Sequence, residues 1–331
     1  MADDRKKDHI DLAFEANSFR QSRDSRFEYD PLHGFHPTHQ DIMPIEFGIC
    51  KMKFPIWISS MTGGTDKAKD ININLAKACN EFGLAMGLGS CRKLIENPNL
   101  LPDFDVKKHM GQQALYCNIG IAQLEQYIND HKLYVIRELI DRLHADGLII
   151  HINPMQEWMQ KEGDRFLSPA IDTIKATIEK IQCPIIVKEV GQGMGLRSLK
   201  ALFQLPLLAI EFGAFGGTNF AKLETLRNPE NFTDDQLALQ FIGHDAEEML
   251  QWCNEIFDSS SVNSRFRLII SGGIKTVLDG YYYISKSKIP AVYGQASNFL
   301  KYAQLNYESL QQYLITHTQT LMVASQFLRV K

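Results

Sequence analysis

The strongest constraint on this chain is a short apolar run that recurs eight times from residue 54 onward. The runs are FPIWISSM (54–61), LAMGLGS (84–90), ALYCNIG (114–120), GLIIHIN (147–153), PIIVKEV (184–190), LLAIEFGA (207–214), RLIISGGI (267–274) and AVYGQASNF (291–299). They are apolar throughout rather than alternating, which predicts strands of a sheet covered on both faces. Helical patterns lie between them. DKAKDININLAKACNEFG (66–83) ends on Gly83 and LYVIRELIDRLHADG (133–147) on Gly147, both read as helix stops. PAIDTIKATIEKIQC, LRSLKALFQL, AEEMLQWCNEIF and VLDGYYYISKS continue the rhythm, and the stretch to Lys331 is helical in pattern. Eight βα units in roughly 270 residues predict an α/β fold, the (β/α)8 TIM barrel. The alternative is a doubly wound open sheet, which favours a GxGxxG turn after its first strand; MTGGTDKAKD lacks that spacing.

The domain reading follows. Residues 1–53 are polar and irregular, an N-terminal extension expected to pack on the barrel mouth, and 54–331 form the barrel. An insertion after strand six runs from about 215 to 245, with the polar RNPENFTDDQ at its centre. HGFHPTHQ in the extension spaces three histidines loosely, without a framing cysteine or carboxylate cluster, and reads as a loop. Net charge is −4, which provides no basic field for nucleic acid. The most apolar segment, 201–215, is interrupted by Gln204, Pro206 and Glu211, so no membrane span is expected. MADDRKKDHI is not followed by an apolar stretch and is no secretory signal. Cys50, Cys79, Cys91, Cys117, Cys183 and Cys253 show no CxxC pair and read as reduced thiols of a cytoplasmic protein.

In a (β/α)8 barrel the chemistry sits at the carboxyl ends of the strands. Those ends carry Met61-Thr62-Gly63-Gly64, Gly89-Ser90-Cys91-Arg92, Asn118, His151-Asn153-Gln156-Glu157, Lys188, the glycine-rich 213–220 with Thr218, Ser271-Gly272-Gly273, and Gly294-Gln295-Ala296. Loops after strands seven and eight commonly hold a phosphate, and glycine lets the backbone come close to it. Gly272, Gly273, Gly294, Gln295 and Ala296 fit that use, and Thr218 adds a hydroxyl. Lys188 interrupts an apolar strand, so it needs an anion: a ligand in the barrel mouth or a structural carboxylate. Glu189 beside it faces the other way. A Schiff-base lysine is a third reading. Backbone N–H groups at Met61-Thr62-Gly63, a phosphate site and a lysine together suggest flavin mononucleotide. Glu157 is a hard oxygen donor suited to Mg2+ beside substrate phosphates. Arg5, Lys6 and His9 in RKKDH read either as a solvated charge run or, with Arg92, as an anion site.

Taken in order, RKKDH, MTGG, GSCR, HINPMQE, VKEVGQG, GGTNFAKLE, SGGIKTVLDG and GQASNFL resemble the type 2 isopentenyl diphosphate isomerases, over nearly the whole chain. HINPMQE and VKEVGQG are the specific parts. Cys91, Asn219, Phe220 and Lys275 depart from the family's usual glutamine, serine, tryptophan and arginine, and His36–Gln40 also drifts. The resemblance implies interconversion of isopentenyl and dimethylallyl diphosphate with FMN, Mg2+ and a reductant such as NADPH, in a tetramer or octamer. It implies FMN contacts from Met61, Thr62, Gly63, Ser90, Asn118, Lys188, Thr218, Gly272, Gly273 and Ala296. Substrate contacts would come from Arg5, Lys6, His9, Arg92, His151, Asn153 and Gln156, the last three nearest the chemistry, and Glu157 would hold the metal. Two other readings stand beside it. A flavin hydroxy-acid oxidase needs a histidine and an arginine in an HGGR-like stretch, where this chain has FGGT. A non-catalytic flavin- or diphosphate-binding relative would show no turnover.

Overall fold

Eight parallel strands close into a barrel in the computed structural model, which describes residues 8–13, 15–16, 23–38, 40–60, 67–259 and 263–331. The barrel strands are Ile56–Ile58, Ala85–Gly87, Leu115–Gly120, Gly147–Ile152, Ile185–Glu189, Ala209–Glu211, Arg267–Ser271 and Ala291–Gln295. They pair in chain order, and the eighth pairs with the first. Each predicted apolar run contains one strand, at its most buried residues.

The interior is filled from every strand. Trp57, Ala85, Tyr116, Ile149, Ile186, Ala209, Ile269 and Val292, one from each, form a buried inner cluster. Phe47 and Met52 join it from a hairpin, Ile45–Phe47 with Cys50–Met52, and both are fully buried. Phe47 stacks at a tilt on Trp57, 5.2 Å between centroids. The Arg267 guanidinium, at the amino end of strand seven, donates to the Glu46 carbonyl. This part of the extension therefore plugs the barrel's amino-terminal floor, opposite the mouth. A second segment, Phe27–Tyr29, pairs antiparallel with Leu328–Val330 at the other end of the chain.

The helices pack outside. Ala68–Phe82 buries Ile71, Leu75, Ala78 and Cys79 and stops at Gly83, whose φ of 63° is the left-handed cap expected. The helix expected to run to Gly147 is shorter: Tyr134–Arg142 ends at Leu143, His144 takes the left-handed turn with φ 48°, and Gly147 opens strand four. The insertion carries short helices. Asn219 accepts from the Lys222 N–H and caps Phe220–Arg227, and Thr233 with Gln236 forms a capping box starting Asp234–Ala238. All six cysteines are free thiols. No helix among the described residues is long and apolar enough to cross a membrane.

Candidate active site

Register aligns the mouth. Gly120 pairs with His151, His151 with Lys188, and Lys188 with Glu211, across strands three to six. Residues in one row of a sheet share a face, so the imidazole, ammonium and carboxylate project together into the barrel. Gly120 leaves the row open, since a Cβ there would stand 2.9 Å from His151 Nε2. Above the row lies a cavity of about 360 Å³. It gathers Ser90, Arg92, Asn118, His151, Asn153, Gln156, Glu157, Lys188, Thr218, Gly272, Gly273, Gly294, Gln295 and Ala296, fourteen of the residues proposed from sequence. His9 is exposed and does not line it. Arg5, Lys6, Met61, Thr62 and Gly63 lie outside the described residues.

Lys188 meets the structural carboxylate that was one of its two expected partners. Its Nζ is 3.2 Å from Glu211 Oε1, and Ser59 Oγ donates to the same oxygen at 2.6 Å. Glu211 is wholly buried, and Oε2 has no hydrogen-bond partner. Sequence reasoning placed Glu211 only as a polar break in an apolar run. The signal was available: strands of one barrel with a charge each at equivalent depth must bring those charges together. Glu189 faces away from the pair, and its Oε2 accepts from the N–H groups of Gly191, Gln192 and Gly193 at 2.7, 2.6 and 2.9 Å. Burial nevertheless pushes its carboxyl up to about 7.

His151 is a neutral imidazole, since burial, with Lys188 adding its charge, pushes it down to about 4. Asn118 Nδ2 donates to the Leu88 carbonyl, so its Oδ1 is the acceptor for His151 Nδ1–H at 2.8 Å. That leaves Nε2 bare, an acceptor. Asn153 Nδ2 donates to Gln156 Oε1 (3.0 Å) and Glu157 Oε1 (2.8 Å), and the Asp164 N–H donates to Glu157 Oε2 (2.8 Å). Gln160 donates to Glu224 Oε1 at 2.9 Å and Gln156 more weakly at 3.4 Å; Glu224, buried and bonded to Arg227, was not foreseen. HINPMQE is thus a strand end turning into the helix Pro154–Met159, with its polar side chains cross-braced over the cavity.

On the opposite wall, Gly216, Gly272 and Gly273 have φ of 110°, 93° and 75°. A Cβ on Gly272 would meet the Ala214 carbonyl at 2.1 Å, and one on Gly217 would crowd Gly272 and Gly273 at 3.1 Å. Only glycine permits this close backbone cradle. Gln295 is engaged at both ends, donating to the Ile274 carbonyl and accepting from Tyr313 Oη, each at 3.2 Å. Two orphaned buried atoms, Ser60 Oγ and Asn153 Oδ1, belong to cavity-lining residues, and Glu211 Oε2 lies beside Lys188. An unmet buried polar atom costs about 1–3 kcal/mol, so the arrangement fits a polar ligand that supplies partners. The glycine cradle and these donors fit FMN. For a metal, no three His, Cys, Asp or Glu among the described residues gather to hold an ion alone. Glu157 with waters and substrate phosphates remains a donor set that suits Mg2+.

Two of the departures, Cys91 and Asn219, have local accounts. Cys91 is buried, its thiol on the Gly89 carbonyl at 3.5 Å and held up to about 12 by desolvation. Asn219 serves as a helix cap and also donates to the Gln240 carbonyl at 2.9 Å.

Fold and site together define a (β/α)8 barrel with a polar, glycine-cradled ligand site at its carboxyl end. Solved structures share the architecture: a flavocytochrome b2 double mutant with sulfite bound has a TM-score of 0.60 at 10% identity, covering 90% of this chain and 70% of its own. A mandelate oxidase variant with a monooxide FMN adduct has a TM-score of 0.56 at 10% identity, covering 92% and 88%. No family model matches. An isopentenyl-diphosphate delta-isomerase of Synechocystis sp. is 30% identical over 337 residues, 97% of this chain and 90% of the relative. One of Rickettsia typhi is 33% identical over 309 residues, 91% and 86%. The chain belongs to the isopentenyl-diphosphate delta-isomerase family.

Proposed function

We propose that the protein interconverts isopentenyl and dimethylallyl diphosphate by a 1,3-allylic proton shift assisted by reduced FMN, in isoprenoid biosynthesis. The observation that supports this most is the convergence of the HINPMQE side chains, Lys188 and the glycine cradle on one cavity, in a chain with full-length relatives of that name. FMN would be held at its phosphate by Thr218, Gly272, Gly273, Gly294 and Ala296, and along its ring by Met61, Thr62, Gly63, Ser90, Asn118, Lys188 and Gln295. Once reduced, by NADPH in this reading, it supplies an electron-rich surface against which an alkene can gain one proton and lose another. Arg5, Lys6 and Arg92 take the diphosphate, with Mg2+ on Glu157.

The chain's own groups set the conditions. Lys188 is neutralised by Glu211 and Glu224 by Arg227, while Glu157 meets only neutral donors and keeps its negative charge for a divalent cation that would bridge it to the diphosphate. Gln156 is a neutral amide and orients rather than protonates. His151 offers Nε2 as an acceptor, and Asn153 keeps an open Oδ1. Remote binding of the diphosphate holds the alkene in place. The same proposal makes the protein a cytoplasmic homo-oligomer, tetramer or octamer.

The test is anaerobic. FMN is reduced by light or dithionite, excess reductant is removed, and isopentenyl diphosphate and Mg2+ are added in D2O. Many turnovers per flavin, with deuterium in the new methyl group by NMR, are expected. Equal activity of the oxidised protein would remove reduced FMN from the reaction, and one reductant consumed per product would overturn the reading in favour of a redox enzyme.

A further inference from the structure

Arg92 and Gln123 both line the cavity, and both donate to the same oxygen of one carboxylate. Arg92 Nη1 lies 2.7 Å and Gln123 Nε2 2.6 Å from Asp164 Oδ2. Asp164 belongs to the connection between the helices Pro154–Met159 and Ala170–Lys180. Its own backbone N–H holds Glu157 Oε2 at 2.8 Å. Arg92 is further bonded through Nε to Glu96 at 2.8 Å. The guanidinium that would receive a diphosphate therefore already faces two carboxylates.

We propose that the Asp164 carboxylate is an internal stand-in for the substrate's diphosphate, occupying the Arg92–Gln123 anion position until a phosphate oxygen replaces it. This rests on the diphosphate reading above. Three features carry it. First, a guanidinium N–H and an amide N–H converging on one anionic oxygen is the donor arrangement that a phosphate oxygen accepts equally well. Second, Gln123 is buried, only 7% exposed, so its amide is fixed and its donor must meet an acceptor in that position at all times. Third, the Arg92 and Asp164 side chains are 45% and 36% exposed, so the ion pair is screened and the carboxylate has solvent to move into. While Asp164 stays, the position carries net negative charge with Glu96 and opposes an incoming anion. When it leaves, one cation and one fixed amide donor are released together. The Asp164 backbone N–H to Glu157 does not depend on the side chain, so exchange at the anion position leaves the candidate metal ligand anchored.

A residue that competes with the ligand has a consequence no merely structural residue shares: its removal tightens binding. The probe is inorganic pyrophosphate, titrated calorimetrically into the FMN-loaded protein with and without Mg2+. Asp164→Asn should bind it roughly three- to ten-fold tighter than the parent, the scale of a partly exposed ion pair plus the loss of one repelling charge. Asp164→Ser keeps the N–H to Glu157, removes the charge, and should show the same gain. Arg92→Ala should bind more weakly, and adding Asp164→Asn to it should restore less than the same change gains in the parent, because Gln123 is freed but no guanidinium is. If the parent binds pyrophosphate and both Asp164 variants bind it equally or more weakly, the inference is wrong and the diphosphate site stands. A gain of the same size in the Arg92→Ala background likewise refutes it. Absence of binding in every form overturns the diphosphate reading itself, and the inference with it.

Discussion

Replacing Lys188 by methionine isolates one buried charge. Lys188 and Glu211 stand 3.2 Å apart, with the carboxylate fully enclosed. At an effective permittivity of about 20, that separation corresponds to roughly 5 kcal/mol of attraction. Lys188→Met removes it and leaves Glu211 with only Ser59 Oγ as partner. Loss of one member of a buried pair typically costs about 3–5 kcal/mol. The variant should therefore be about 3 kcal/mol less stable than the parent. Lys188→Met/Glu211→Gln removes the stranded charge as well and should recover most of that loss. Urea unfolding of the flavin-free parent, Lys188→Met and Lys188→Met/Glu211→Gln measures this, provided the slope with denaturant is common. A Lys188→Met variant as stable as the parent, or a double variant no better than the single, would refute the reasoning.

Other outcomes are expected. Glu157→Gln keeps the shape and removes the charge, so turnover should fall and the Mg2+ concentration for half activity should rise several-fold; an unchanged metal titration would count against Glu157 as the ligand. Gly272→Ala forces a side chain into a backbone with φ 93° and against the Ala214 carbonyl, so FMN affinity should drop at least roughly ten-fold by fluorescence titration. Glu189, raised to about 7 by burial, contributes stability at low pH that is lost as pH rises from about 4.5 through 7. The stability difference between parent and Glu189→Gln should accordingly fall by up to roughly 3 kcal/mol over that window, and a flat difference would show that Glu189 does not titrate there.

The barrel was legible because each strand is buried on both faces and so writes itself as an unbroken apolar run, as in Leu148–Ile150. The glycine cradle and the polar strand ends were legible because they break those runs. What escaped needed partners far away in sequence. Glu211 looks like an interruption of LLAIEFGA until register sets it beside Lys188. Glu224 sits on a helix whose approach to Gln156 no local pattern announces. The floor hairpin has strands of three residues, too short for alternation to register, and its burial comes from the barrel beneath which it lies. By contrast, Thr233 and Gln236 carried a readable capping box inside a stretch that was read only for its polarity. His144 replaced the expected glycine at a helix end, since the chain had to save Gly147 for a place where a Cβ would meet the Pro184 carbonyl at 2.4 Å.

The floor plug also orders events in time. A ribosome makes Phe47 and Met52 before any of the eight strands that cover them, and the cluster they enter is complete only when Val292 has been added. At about 5–20 residues per second, these two side chains wait at least roughly ten seconds, exposed, for their destination. Local helices can form meanwhile, but the plug cannot seat until the ring exists. Final closure is thus a late, long-range event rather than a step-by-step accretion of βα units.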